Sequence, residues 1–168
     1  MGNQVVHEKL RNGKELIIRA INANDKDNMK ELMRHLSPES RYFRFFTPKD
    51  TLTDKELKAF TEIDLVKHVG ILASILENGT QIPAGSARYI ICEKKDNDLL
   101  SAELSFAVEE EYQGQGIGSL LFKHLLEIAI ANKIEQFIAY VLSNNKKMLR
   151  VFEKCGVPMK KTLGEQGV

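Results

Sequence analysis

Apolar and polar positions along the chain fall into short blocks with two distinct periods. Glu15 to Ala20 (ELIIRA) is a short apolar run and predicts a first strand. From about Asp25 to Leu36, Met29, Leu32, Met33 and Leu36 recur at helical spacing, with Asn24 or Asp25 placed to cap. A second helix is signalled at Thr53, which pairs with Glu56 as a capping box, while Leu52 and Leu57 stand as the hydrophobic staple. It should run to about Asp64. His68 to Leu76 is apolar on both faces, the mark of a central strand. Asn78-Gly79 predicts a tight hairpin turn, since both residues tolerate positive φ. The returning strand should span about Ala84 to Glu93, followed by a polar turn at Lys94 to Asp98.

Ser101 to Glu109 alternates strictly, with Leu104, Phe106 and Val108 on one face and Glu103, Ser105 and Ala107 on the other. A glycine-rich turn leads into a helix ending near Asn132, with Ile117, Leu120, Leu121, Leu125 and Ile128 as its apolar stripe. Gln136 to Leu142 predicts one more strand, and Asn145 to Cys155 a last helix stopped by Gly156 and Pro158. The order is β-α-α-β-β-β-α-β-α. This predicts an α/β domain on a mixed sheet: an antiparallel first half, then a crossover into a parallel neighbour. Residues 1–13 carry no such pattern and are expected to form a flexible N-terminus to a single domain spanning 1–168.

Composition changes this picture little but excludes several classes. A chain of 168 residues with 43% apolar and 28% charged positions can bury a core without disulfides or metal. Its net charge of +1 argues against a nucleic-acid binder held by bulk electrostatics. The longest apolar stretch, about Gly70 to Leu76, is too short to span a bilayer, and Met1 to Leu10 has no signal-peptide core. Cys92 and Cys155 make no disulfide framework, and His7, His35, His68 and His124 have no metal spacing, so a reducing cytoplasm and no metal are expected.

The chemistry concentrates in Gln113-Gly114-Gln115-Gly116-Ile117-Gly118-Ser119, between an alternating strand and a patterned helix. The first N–H groups of a helix lack partners within it and sit at the positive end of its dipole. Glycines there let an anion approach the backbone, so the turn can seat a pyrophosphate without Lys or Arg. No Gly-Lys-[Ser/Thr] occurs, which excludes a Walker A loop. Gly114, Gly116 and Gly118 also miss the G-x-G-x-x-G spacing of a dinucleotide fingerprint. A tight turn with glycines serving only packing is the plainer reading of the same residues.

Gln113-x-x-Gly116-x-Gly118 resembles the [QR]-x-x-G-x-[GA] acetyl-CoA motif of the GNAT superfamily of N-acetyltransferases, and the element order matches that fold. Asn145, Met148 and Phe152 resemble the family's N-x-x-A-x-x-x-Y helix, with Met and Phe in place of Ala and Tyr. Leu36 to Phe46 (LSPESRYFRFF) is similar to a stretch of the Pat-type bacterial protein lysine acetyltransferases. The resemblance implies splayed parallel strands, with backbone groups of Phe106, Ala107 and Val108 pairing with the pantetheine arm of acetyl-CoA. It implies that Gln113 to Ser119 hold the pyrophosphate and that Asn145 closes the opposite wall. Glu109, Glu110 and Glu111 must then face away from the polyanion.

The resemblance also implies a role for Glu103, in the context Ala102-Glu103-Leu104-Ser105-Phe106: general base for an attacking amine. By residue pattern alone it reads as a half-exposed strand Glu paired with Lys or Arg. The amide of Phe106 is the expected oxyanion donor. The family's acidic Tyr is replaced by Phe152, leaving Tyr112 and Tyr42 as substitutes. Arg41 to Phe46 reads equally as an acceptor-side wall or as core plus surface. Lys146, Lys147, Arg150 and Lys154 read first as solvated surface, with docking of an acidic protein or the CoA phosphates as the alternative.

The expected activity is acetyl transfer from acetyl-CoA to a primary amine, a protein lysine above all. Small amines and a non-catalytic acyl-CoA sensor are the alternatives. Relatives continue past Val168 into one more strand, which is either missing here or supplied by a partner in a homodimer.

Overall fold

The computed structural model describes residues 4–92, 98–109, 112 and 114–164. Its six strands form one sheet in the order β1-β2-β3-β4-β5-β6. They are β1 Val6–Lys9, β2 Glu15–Ala20, β3 His68–Glu77, β4 Thr80–Ile91, β5 Ser101–Val108 and β6 Gln136–Ala139. All neighbours are antiparallel except β5 and β6, which run parallel across the crossover helix. This is the mixed sheet that the alternation and the crossover predict.

Two elements go beyond the expected order. Val6–Lys9, assigned above to a flexible N-terminus, is edge strand β1 and pairs with β2 from Val6↔Ile18 to Lys9↔Glu15. Four residues that alternate between half-buried and exposed are too short a pattern to stand out in sequence. Between helix α1 (Lys26–His35) and helix α3 (Asp54–Thr61) lies helix α2, Pro38–Phe45. Its start is well marked: the Ser37 hydroxyl accepts from the Ser40 N–H, Pro38 occupies the first turn, and Phe46 ends it at φ 59. Its arginines and aromatics give no clean apolar stripe, so the pattern reading passes over it.

The capping box at Thr53 forms as predicted, and Leu57 is buried with Leu52 packed against it. Asn78 and Gly79 both take positive φ, so β4 begins pairing at Glu77↔Thr80, four residues earlier than the sequence suggests. Pro83 falls where the register steps from Ser74↔Pro83 to Ala73↔Gly85, leaving Ala84 as the extra residue of a bulge. The Ala84 carbonyl accepts instead from the Glu109 N–H at 2.9 Å, which fixes the exit of β5. The expected end of β4 at Glu93 lies outside the described residues.

Helices α4 (Ile117–Ala131) and α5 (Lys146–Lys154) cover one face of the sheet, and α1 and α3 the other. Leu16, Ile18, Val69, Ile71, Ala73, Ile75 and Tyr89 point at α4, while Leu72 points at Met29, Leu32 and Leu57. The buried side of α4 is Ile117, Leu121, Phe122, Leu125 and Ala129, with the predicted Leu120 and Ile128 only half-buried at its margins. Truncating a fully buried leucine such as Leu125 should cost about 2–5 kcal/mol. Among the described residues no helix is long and apolar enough to cross a membrane.

Candidate active site

β6 is shorter than predicted, and that shortness makes the site. Pairing with β5 ends at Leu104↔Ala139, yet β5 runs on to Val108, still held by β4 as far as Gly85↔Val108. The chain after Ala139 leaves the sheet toward α5 and opens a cleft of about 640 Å³. Phe106, Ala107 and Val108 form one wall, α2 stands over the open end, and α5 forms the far wall. A strand edge that loses its partner within a sheet presents backbone donors and acceptors to whatever enters.

At one end of this cleft the glycine turn meets α4. Gly114 and Gly116 have φ 79 and 95, conformations that a β-carbon strains. Gly116 caps α4 with no side-chain hydrogen bond, and the first turn carries no acidic residue. The helix N-terminus therefore keeps its positive end for a ligand. Gly118 does the packing job that the plainer reading assigns: a β-carbon there would lie 3.3 Å from Val151 of α5. Gly114, Gly116, Ile117, Gly118 and Ser119 all line the cleft. Gln115 does not; its carbonyl accepts from the Arg11 N–H at 3.5 Å. Gln113, Glu110 and Glu111 lie outside the described residues. Glu109 is buried.

Arg11 is missing from the sequence reading. Its Nη1 donates to the Gly114 carbonyl at 3.2 Å, tying the turn after β1 to the glycine turn. A contact across 103 residues leaves no local signal. The basic face of α5, Lys146, Lys147, Arg150 and Lys154, is solvent-exposed as the pattern predicts and also lines the cleft. Asn145 caps α5 by accepting from the Met148 N–H at 3.3 Å, and both residues line the cleft. Phe152 lines it too, with its ring edge-on to Phe106 at 5.9 Å and to Phe122 at 5.8 Å. Its place is in an aromatic cluster. Tyr112 is buried on the same wall, whereas Tyr42 is exposed and off it.

At the other end, Glu103 projects from the polar face of β5, beside Ile90 of β4 and Ile138 of β6. The Arg44 guanidinium of α2 stacks on Phe45 at 4.7 Å and on Phe60 at 5.7 Å. Burial holds its pKa below the ordinary value, and the Glu103 charge partly offsets that. Arg88 of β4 is only 3% exposed and lies 4.6 Å over Phe60. Its Nη1 donates to the Phe60 carbonyl at 3.2 Å and to His68 Nε2 at 3.0 Å. Arginine has no acceptor, so His68 must be neutral with its proton on Nδ1. Burial, then the charges of Arg88 and Arg44, push His68 down to about 4. Burial, then Arg44, push Arg88 down to about 9.

Among the described residues no group of His, Cys, Asp or Glu could hold a metal ion. The arrangement suits acyl transfer: a backbone edge, a helix N-terminus without a side-chain cap at one end, and a carboxylate at the other.

Known proteins resemble this chain in sequence and in fold. An acetyltransferase of Pseudomonas aeruginosa is 26% identical over 141 residues, covering 84% of this chain and 74% of that protein. The acetyltransferase Pat of Mycolicibacterium smegmatis is 27% identical over 149 residues, 88% of this chain. The match spans 43% of Pat, less than half its length. The crystal structure of the GNAT domain of S. lividans Pat superposes with a TM-score of 0.85 at 31% identity, covering 97% of this chain and 92% of that one. The pattern of the GNAT acetyltransferases matches residues 29–157, and the chain belongs to that family.

Proposed function

We propose that the chain moves the acetyl group of acetyl-CoA to a protein lysine by direct attack, with Glu103 as general base. The observation that carries this is the splay after Leu104↔Ala139, which sets the uncapped start of α4 at one end of a cleft and Glu103 at the other. In this reading the backbone of Phe106 to Val108 pairs with the pantetheine arm. Gly114, Gly116, Ile117, Gly118 and Ser119, with Gln113, hold the pyrophosphate, and Arg11 and the α5 cations add charge for the phosphates. The likeness to the GNAT domain of S. lividans Pat supports a protein acceptor.

The amine nitrogen forms its bond to the thioester carbonyl as the carbon–sulfur bond breaks and the thiolate leaves. The amine proton passes to Glu103. An amide of β5 near Phe106 stabilises the developing oxyanion. Phe152 has no proton to give, so the thiolate departs unassisted, which its low pKa relative to an alkoxide permits.

The test is calorimetric titration of the chain with acetyl-CoA, then mass spectrometry of proteins incubated with both. Saturable binding that Gly116→Val weakens, with an acetyl mass shift on lysines, is the expected result. Binding with no turnover on proteins or free amines would instead favour a non-catalytic acyl-CoA module, the reading that Phe152 keeps in play. Turnover confined to free amines would move the acceptor to small molecules.

A further inference from the structure

Behind the Glu103 end of the cleft, Arg44 and Arg88 bound a second, smaller cavity of about 20 Å³. Arg44 and Ala107 line both cavities, so the small one adjoins the large one beside α2. That volume holds one water-sized group. Ser86, 5% exposed, is the other polar residue of the lining, and the rest is apolar, Phe45, Phe60, Leu36 and Leu52 among it.

The charge balance there is uneven. Glu103 is the carboxylate acting on Arg44, and no carboxylate pairs with Arg88 among the described residues. Arg88 spends Nη1 on the Phe60 carbonyl and His68, while its Nε and Nη2 find no protein acceptor among the described residues. Nor do the Arg44 guanidinium and the Ser86 hydroxyl. A buried charge without a counterion is expensive even where two hydrogen bonds reach it, and a second like charge beside it makes matters worse. His68 cannot offset this, because it is an uncharged acceptor. Aromatic faces stabilise a guanidinium but leave its in-plane donors unmet.

We propose that Arg44, Arg88 and Ser86 form a seat for one small anionic group, of the size of a halide ion or a single carboxylate oxygen. The guanidinium donors would receive it in their plane, as Arg receives carboxylates elsewhere. Two sources can supply that chemistry: a free halide, or a carboxylate at the far end of the acyl group entering from the large cleft. The first is independent of the acetyl-transfer reading; the second rests on it.

Two measurements on the full chain decide. In the first, thermal unfolding is followed while sodium chloride or bromide replaces sodium gluconate, too large for the cavity, at constant ionic strength. A saturable Tm rise of about 3–6 °C is expected, abolished in Arg88→Met and weakened in Arg44→Met. Should Arg88→Met fail to fold, Arg44→Met, changed at a half-buried side chain, carries this arm alone. In the second, acetyl-CoA and succinyl-CoA are compared with one acceptor. If the seat takes the acyl carboxylate, Arg44→Met lowers kcat/KM for succinyl-CoA at least 10-fold more than for acetyl-CoA, and chloride competes with succinyl-CoA alone. Either result supports the seat and names its source. An enzyme inactive with every donor leaves the halide arm to decide, and failure there overturns the seat. With an active enzyme, no halide saturation together with equal losses for both donors overturns it.

Discussion

Two arginines on the strands that flank β3 meet opposite fates. Arg19 of β2 grips Asp25 with two bonds of 2.8 and 2.6 Å, and Asp25, 1% exposed, also accepts from the Asn22 N–H and Asn28. Burial alone would raise the Asp25 pKa, but these hydrogen bonds outweigh it and hold the carboxyl below its ordinary value. Arg88 of β4 is as deeply placed and has no such carboxylate. The first pair is complete and fastens β2 to the start of α1. The second is incomplete and borders the small cavity. A buried charge that the fold satisfies belongs to stability; one that it leaves unsatisfied beside a cavity is held for a ligand.

The largest effect should come from breaking the complete pair. Asp25→Ala strands Arg19 and two amide donors and is expected to lose about 3–5 kcal/mol in urea unfolding. At the other site the largest effect is on rate. Glu103→Gln should lower kcat about 100-fold, about 2.7 kcal/mol, with acetyl-CoA affinity by calorimetry near wild type. Unchanged turnover would remove Glu103 from the mechanism.

Acid should separate the two sites by window. His68 has a folded pKa of about 4 against 6.5 unfolded, so the unfolded chain takes up the proton first. Its contribution is fully present above pH 6.5, is lost as pH falls toward 4, and is flat below. Allowing for partial exposure this amounts to about 2 kcal/mol. Asp25, lowered below 3.8, loses its contribution only beneath that pH. His68→Gln should flatten the upper window of the stability–pH curve and leave the lower one. Smallest of all, Arg88→Met in chloride-free buffer should change unfolding free energy by less than about 1 kcal/mol, because losing its bonds to the Phe60 carbonyl and His68 is offset by removing a buried charge that no carboxylate pairs. A loss equal to that of Arg19→Met would erase the contrast between the sites.

Much of this design can be read from residues that act on near neighbours. Thr53 and Glu56 announce their cap, Asn78-Gly79 its hairpin, and the alternation from Ser101 places Glu103 and Phe106 on opposite faces before any fold is known. The glycine turn likewise declares itself by spacing. Helix α2 shows the boundary. Ser37-Pro38 is a readable start, but Tyr42, Phe43, Arg44 and Phe45 form no stripe, since one side of the helix covers a cleft rather than a core. The lysines of α5 look like any solvated helix face until the cleft wall behind them is seen. Tyr112 could be named but not placed.

What the chain fixed by itself were most of the elements, the cap at Thr53, the hairpin turn and the glycine turn, because each depends on backbone conformation and hydrogen bonds within a few residues. Only the tertiary structure decided where β6 parts from β5, that Arg11 reaches Gly114, and that Arg44 and Arg88 share one cavity while Arg19 finds Asp25. Those outcomes depend on burial and on distances between charges far apart in sequence, and neither exists until the sheet has brought its strands together.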